Sequence, residues 1–315
     1  MQNIDKISVN LQNQFVYGMG SFFNILNSEH KKCFNIAEIN NYYFHSSIGY
    51  PGSSFFYKRV SNYKKQNDKR LILKIAGYSY DQLKYEIDAS IKEFNLDNLY
   101  GFQLWEKLPI IENKLNLKEL TKIIYFLEEL KKNRIIQKTF FQLEPQSFNL
   151  DEIDFFDGYA FYGYPYEFQL DKNHYEMILK NKKLFLQFQF FGGRSNKIFR
   201  EEFKNKNNFN QSNSDIDRSW IEECYSFTNN IFKNNCFYVG CTQKSRRLEY
   251  LNLLINEKKI KYNLEFEKKL QFSDNLKYLT KVDYPVEKHP DFLKKIRSNF
   301  FLLKLYIKKL ISRLT

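Results

Sequence analysis

"RLILKIAGYSYDQLKYEIDASIKEFNLDNLYGFQLW", residues 70–105, holds two short apolar runs on either side of a helix-length segment. "RLILKIA" (70–76) and "LYGFQLW" (99–105) have strand length and few polar residues, as strands buried on both faces do. Between them, Leu83, Ile87, Ile91 and Phe94 recur every three or four residues and form one face of a helix. Buried strand, amphipathic helix, buried strand is a parallel β/α unit, because parallel neighbours need a crossover to connect them.

The same alternation continues in both directions. Apolar runs at "FVYGMG" (15–20), "YYFHSS" (42–47), "IIQKTFFQL" (135–143), "GYAFYGY" (158–164), "LFLQFQFF" (184–191) and "CFYVGCT" (236–242) bring the strand-like segments to eight. "LKELTKIIYFLEELKKN" (117–133) puts Leu120, Ile123, Ile124, Leu127 and Leu130 on one helical face, with Asn133 as a stop. "SDIDRSWIEECYSFTNNIFKNN" (214–235) does the same with Trp220, Cys224, Phe227 and Ile231. Eight such units in 315 residues predict a (β/α)8 TIM barrel, whose site lies at the C-terminal ends of the strands. The polar stretch "REEFKNKNNFNQSNSDID" (200–217) reads as a loop on that face.

Composition narrows the function classes. With 43% hydrophobic and 18% aromatic residues the chain can fill a large core. Of the net charge of +13, six lie in residues 291–315, where Lys294, Lys295, Arg297, Lys304, Lys308, Lys309 and Arg313 face only Asp291. The rest is too thinly spread for a nucleic-acid surface, and no recognition motif accompanies it. In that tail Phe292, Ile296, Phe300, Leu303, Ile307, Leu310 and Leu314 form an apolar stripe. A barrel over residues 1–285 is thus expected to carry a basic amphipathic C-terminal helix over 286–315, suited to a membrane surface or a protein partner. No run reaches the roughly 18–20 apolar residues of a spanning helix. Residues 1–15 lack the pattern of a signal peptide. Cys33, Cys224, Cys236 and Cys241 lack metal-site spacing and read as reduced core thiols, which points to a cytoplasmic protein without a metal.

In order and local wording the strands resemble the aldo-keto reductases from about residue 15 to about residue 255. "VYGMGSF" is similar to that family's first strand, and "INNYYFHSSIGYPGSSFFYKRV" to the second strand and the loop with its catalytic tyrosine. "RLILKIAG" resembles the third strand, which ends in the catalytic lysine, and "EIDASIKEFNLDNLYGFQLWE" the approach to the catalytic histidine. "LEELKKNRIIQKTFFQL" is similar to the fifth unit, and "CFYVGCTQKSRRLEYLNLL" to the eighth strand and the helix that grips the cofactor's adenosine end.

The resemblance implies an NAD(P)H-dependent oxidoreductase acting on a carbonyl or sugar-like small molecule. Its tyrosine falls on Tyr50 and its lysine on Lys74, while the aspartate position falls on His45 and the histidine position on Trp105. The tyrosine would protonate the carbonyl as hydride arrives, with the lysine beside it. The family's Ser-Asn pair matches Phe141-Gln142, its glutamine on strand six matches Ala160, and its nicotinamide-stacking aromatic matches Gln187, or Phe188 or Phe190 in a shifted register. Gly192, Gly193, Arg194 and Ser195 could approach a pyrophosphate. Gly240, Thr242, Lys244, Ser245, Arg246 and Arg247 either hold an adenosine 2′-phosphate, selecting NADP(H) over NAD(H), or coat a solvated helix start. The other outcome is a barrel that has lost redox chemistry and serves in binding or non-redox carbohydrate processing, with Glu106 and Glu144 as an acid–base pair.

Overall fold

The computed structural model describes residues 14–20, 27–50, 70–76, 79–105, 110–111, 114–115, 117–142, 154–164, 167–168, 172–191, 213–232 and 235–257. Eight parallel strands form the barrel: β1 (Gln14–Gly18), β2 (Tyr43–Ser46), β3 (Leu71–Ala76), β4 (Gly101–Trp105), β5 (Lys138–Gln142), β6 (Gly158–Tyr164), β7 (Leu184–Phe188) and β8 (Cys236–Gly240). Each pairs with the next, and β8 pairs with β1 through Val16 and Val239, so the sheet has no open edge. Every expected strand is present. Two short antiparallel additions decorate it: Glu167–Phe168 beside the end of β6, and a ribbon of Ile110–Ile111 with Lys114–Leu115.

Six described helices surround the barrel: α1 (Ser28–Ile39), α2 (Tyr80–Phe94), α3 (Leu117–Lys132), α4 (Lys172–Lys180), α5 (Asn213–Phe232) and α6 (Ser245–Glu257). In α2 the Ser79 hydroxyl accepts from the Gln82 amide at the start, and Asn95 adopts the left-handed conformation at the end. Helix α3 ends at Lys132, so Asn133 stands at the stop as expected, and Arg134 after it takes the positive φ. Helix α5 begins at Asn213, so the last residues of the polar stretch 200–217 are helical rather than loop. Asp217 is thereby buried in its second turn. The expected tail helix over 286–315 lies outside the described residues.

Alternation along the strands divides the core in two. Phe15, Tyr17, Phe44, Leu71, Leu73, Phe102, Phe141, Phe161, Phe185 and Tyr238 face the helices and pack on their apolar faces, Leu83, Ile87, Leu127 and Trp220 among them. Val16, Ile72, Phe140, Ala160, Leu186, Phe237 and Val239 fill the barrel's interior. The Phe237 ring lies 5.0 Å from Tyr43, 5.3 Å from Tyr100 and 6.1 Å from Phe140, closing the lower end. Each fully buried Val, Ile, Leu or Phe side chain among these contributes about 1.5–3 kcal/mol. Close strand contact demands glycine at Gly101, where a Cβ would stand 2.3 Å from the Lys138 carbonyl oxygen. Asp157, just before β6, ties that end to β5: it accepts from the Thr139 amide and hydroxyl, each at 2.9 Å, and pairs with Lys131 and Lys138. Burial pushes its pKa up, but the hydrogen bond and charge of Lys131 and the charge of Lys138 more than offset this and hold the carboxyl below its ordinary range. Cys33, Cys224 and Cys236 are buried as expected, whereas Cys241, just past β8, is exposed.

Candidate active site

The apolar filling of the barrel gives way to polar side chains toward the C-terminal ends of the strands. His45 on β2, Gln103 on β4 and Gln142 at the end of β5 are buried there and form a hydrogen-bonded chain. The Gln103 N–H2 donates to the Gln142 carbonyl oxygen at 2.9 Å, and the Gln103 carbonyl oxygen faces His45 Nε2 at 2.8 Å. Since that oxygen can only accept, Nε2 is the protonated nitrogen of His45. Burial, with Lys74 nearby adding to it and the Gln103 bond opposing it, pushes the imidazole down to about 4. His45 is therefore neutral near pH 7.

Lys74 and Gln103 are register partners on adjacent strands, which sets them at one level of the barrel. The Lys74 ammonium lies over the Tyr50 ring, 5.3 Å from its centroid. Tyr50 is held by a turn after β2, where the Ser47 hydroxyl accepts from the Gly49 amide and the Ser47 carbonyl from the Tyr50 amide. The structure thus brings together three of the four expected catalytic positions: Tyr50, Lys74 and His45. Trp105 stands two residues beyond Gln103 and opposite Ala76, one step up the barrel from Lys74. Gln103 is the residue that sequence reasoning missed. Its signal was an amide among "GFQLW", a group that must find a partner when buried.

The cofactor positions divide likewise. Gln142 faces inward, its neighbour Phe141 outward against Phe156 at 5.1 Å. Ala160 is part of the inner filling. Among the strand-seven candidates, Gln187 faces α5: its amide donates to the Gly163 carbonyl and accepts from the Thr228 hydroxyl. Phe190 packs outside the barrel on Tyr238. Phe188 faces inward, with its ring 4.9 Å from His45 and 5.9 Å from Tyr162. Gly192, Gly193, Arg194, Ser195, Glu106 and Glu144 lie outside the described residues.

The residues after β8 are engaged within the protein. A Cβ at Gly240 would meet Phe191 at 2.6 Å and Phe15 at 2.7 Å, so packing requires this glycine. Thr242 is buried; its carbonyl accepts from the Tyr17 hydroxyl and its hydroxyl from the Lys244 amide. Arg246 and Arg247 each donate to a different oxygen of Asp217, at 2.8 and 2.7 Å, with the Lys244 ammonium 3.9 Å away. The amide and hydroxyl of Ser245, the first residue of α6, donate to Glu29 of α1.

No described helix is long and apolar enough to cross a membrane, and no cluster of potential metal ligands occurs among the described residues. No family model matches the chain, and no curated protein matches it. Solved structures do. An aldose reductase from Giardia lamblia matches 84% of this chain and 92% of its own, with a TM-score of 0.60 at 10% identity. An aldo-keto reductase from Klebsiella pneumoniae, solved in complex with NADPH, matches 83% of this chain and 91% of its own, with a TM-score of 0.63 at 8% identity. One from Brucella melitensis gives 82%, 95%, 0.56 and 11% respectively. At these identities the likeness establishes a common fold: the (β/α)8 barrel of the aldo-keto reductases.

Proposed function

We propose that this barrel, having the aldo-keto reductase fold, is a divergent oxidoreductase that uses a nicotinamide nucleotide to reduce a carbonyl or sugar-derived substrate. The observation that carries this reading is the Lys74 ammonium over the Tyr50 ring at the barrel mouth. A phenol can donate a proton to a carbonyl oxygen, and a cation beside it stabilises the negative charge left behind. The bound nucleotide would supply the hydride. Gln142 would meet its carboxamide, and Phe188 would pack against the nicotinamide ring from inside β7.

The polar chain beneath has a supporting role. Gln103 keeps His45 oriented, with its proton on Nε2 and directed at the Gln103 carbonyl oxygen. A neutral imidazole in the position that resembles the family's aspartate does not offer Lys74 a carboxylate's charge. The proton of Tyr50 is then given up more reluctantly, and turnover is slow on simple aldehydes. Appreciable activity is confined to a substrate whose remaining groups help bind it, of which a sugar is the best fit.

NADH fluorescence titrated with the protein tests the reading: a saturable change supports it. A flat titration would contradict it and favour the second reading, a barrel without redox chemistry. The neutral His45 and the internal engagement of Arg246 and Arg247 are the observations on that side.

A further inference from the structure

We infer that Asp217 is a specificity-determining residue that excludes a 2′-phosphate from the start of α6, making the barrel select NAD(H) over NADP(H). The inference rests on the reading that this end of the barrel receives the adenosine half of a nicotinamide nucleotide. The cations that could recognise a 2′-phosphate, Lys244, Arg246 and Arg247, converge on one internal carboxylate. Asp217 is 4% exposed, so water cannot replace the guanidiniums if they turn away. Arg247, at 11% exposure, is nearly as enclosed, and its bond to Asp217 Oδ1 joins α6 to α5. Arg246 and Lys244 are half exposed, yet both are directed at Oδ2 of the same carboxylate.

A second carboxylate reinforces the first. Glu29 accepts from both the amide and the hydroxyl of Ser245, taking the helix-start donors that an incoming phosphate would otherwise use. Both anion-binding devices of this segment thus already hold an anion supplied by the chain. A 2′-phosphate would arrive beside two carboxylates, compete for their partners and strand Asp217 in a dry setting. A ribose with a free 2′-hydroxyl brings no charge and needs none of those cations.

The test uses the intact chain with two fragments of the cofactors, 5′-AMP and 2′,5′-ADP, titrated by calorimetry. The wild type should bind 5′-AMP at least about tenfold more tightly than 2′,5′-ADP. Asp217→Asn, which keeps shape and removes charge, should tighten 2′,5′-ADP binding by roughly tenfold or more and change 5′-AMP binding by less than about threefold. Glu29→Gln should shift the ratio in the same direction and guards against a folding defect in the first variant. Equal or tighter binding of 2′,5′-ADP by the wild type overturns the inference and leaves the proposed function standing, as does a ratio unmoved in both variants. Failure of every protein to bind either fragment or NADH removes the nucleotide site, and with it both the function and the inference.

Discussion

Mild acid should loosen this barrel through His45. In the folded chain burial holds the imidazole down at about 4, whereas an unfolded histidine titrates near its ordinary 6.5. Between those values the unfolded chain takes up a proton that the native barrel refuses. Stability contributed by this group is therefore complete above about pH 6.5 and lost as pH falls toward 4. At about 1.4 kcal/mol per pH unit, the loss is about 2 kcal/mol between pH 7.5 and pH 5 and about 3 kcal/mol by pH 4. His45→Asn cannot titrate and isolates this contribution from the other three histidines. Urea unfolding of both proteins at pH 7.5 and pH 5, followed by circular dichroism, gives the comparison. The wild type should lose about 2 kcal/mol more than the variant over that interval. Equal losses would mean that His45 titrates as an exposed histidine and that the polar chain does not keep it neutral.

Three further outcomes are expected. Glu29, held down to about 2 by its bonds to Lys32 first and then Ser245, should contribute stability that is complete above about pH 4.5 and lost as pH falls toward 2. Glu29→Gln should flatten that part of a thermal-melting profile. Gly101→Ala should cost about 2–3 kcal/mol in urea unfolding, because the added methyl would stand 2.3 Å from the Lys138 carbonyl oxygen and β4 must shift away from β5. Lys74→Met should lower kcat for any carbonyl substrate by about a hundredfold or more while moving KM far less, since the ammonium acts on charge that develops at Tyr50.

Much of the fold was legible because barrel strands are buried on both faces. "LILKIA" and "CFYVG" are continuous apolar runs, and the helices between announce themselves by period. The same double burial hides which face of a strand points inward. In "LFLQF" nothing local says that Phe188 rather than Gln187 faces the barrel's centre; the pairing of β7 with β6 and β8 settles it. Gln103 was passed over for Trp105 for a related reason. Only register fixes which residue of β4 is level with Lys74. Asp217 falls where the expected loop, 200–217, and the expected helix, 214–235, overlap, because Asn, Ser and Asp residues favour both loops and helix starts; the helical reading holds. Its burial depends on arginines some thirty residues away, which no local pattern can show. Tyr50 and Lys74 were found because their spacing resembles a known family, and their contact then follows from neighbouring strands.

The most direct test of the account measures hydride transfer from NADH to a panel of sugar-derived and simple carbonyl compounds, for the wild type and for Tyr50→Phe. The account predicts slow but saturable oxidation of NADH by at least one sugar-derived compound, little by simple aldehydes, and loss of activity in the variant, which still binds the nucleotide. Turnover undiminished in Tyr50→Phe, or no transfer to any compound by a wild type that binds NADH, would contradict it.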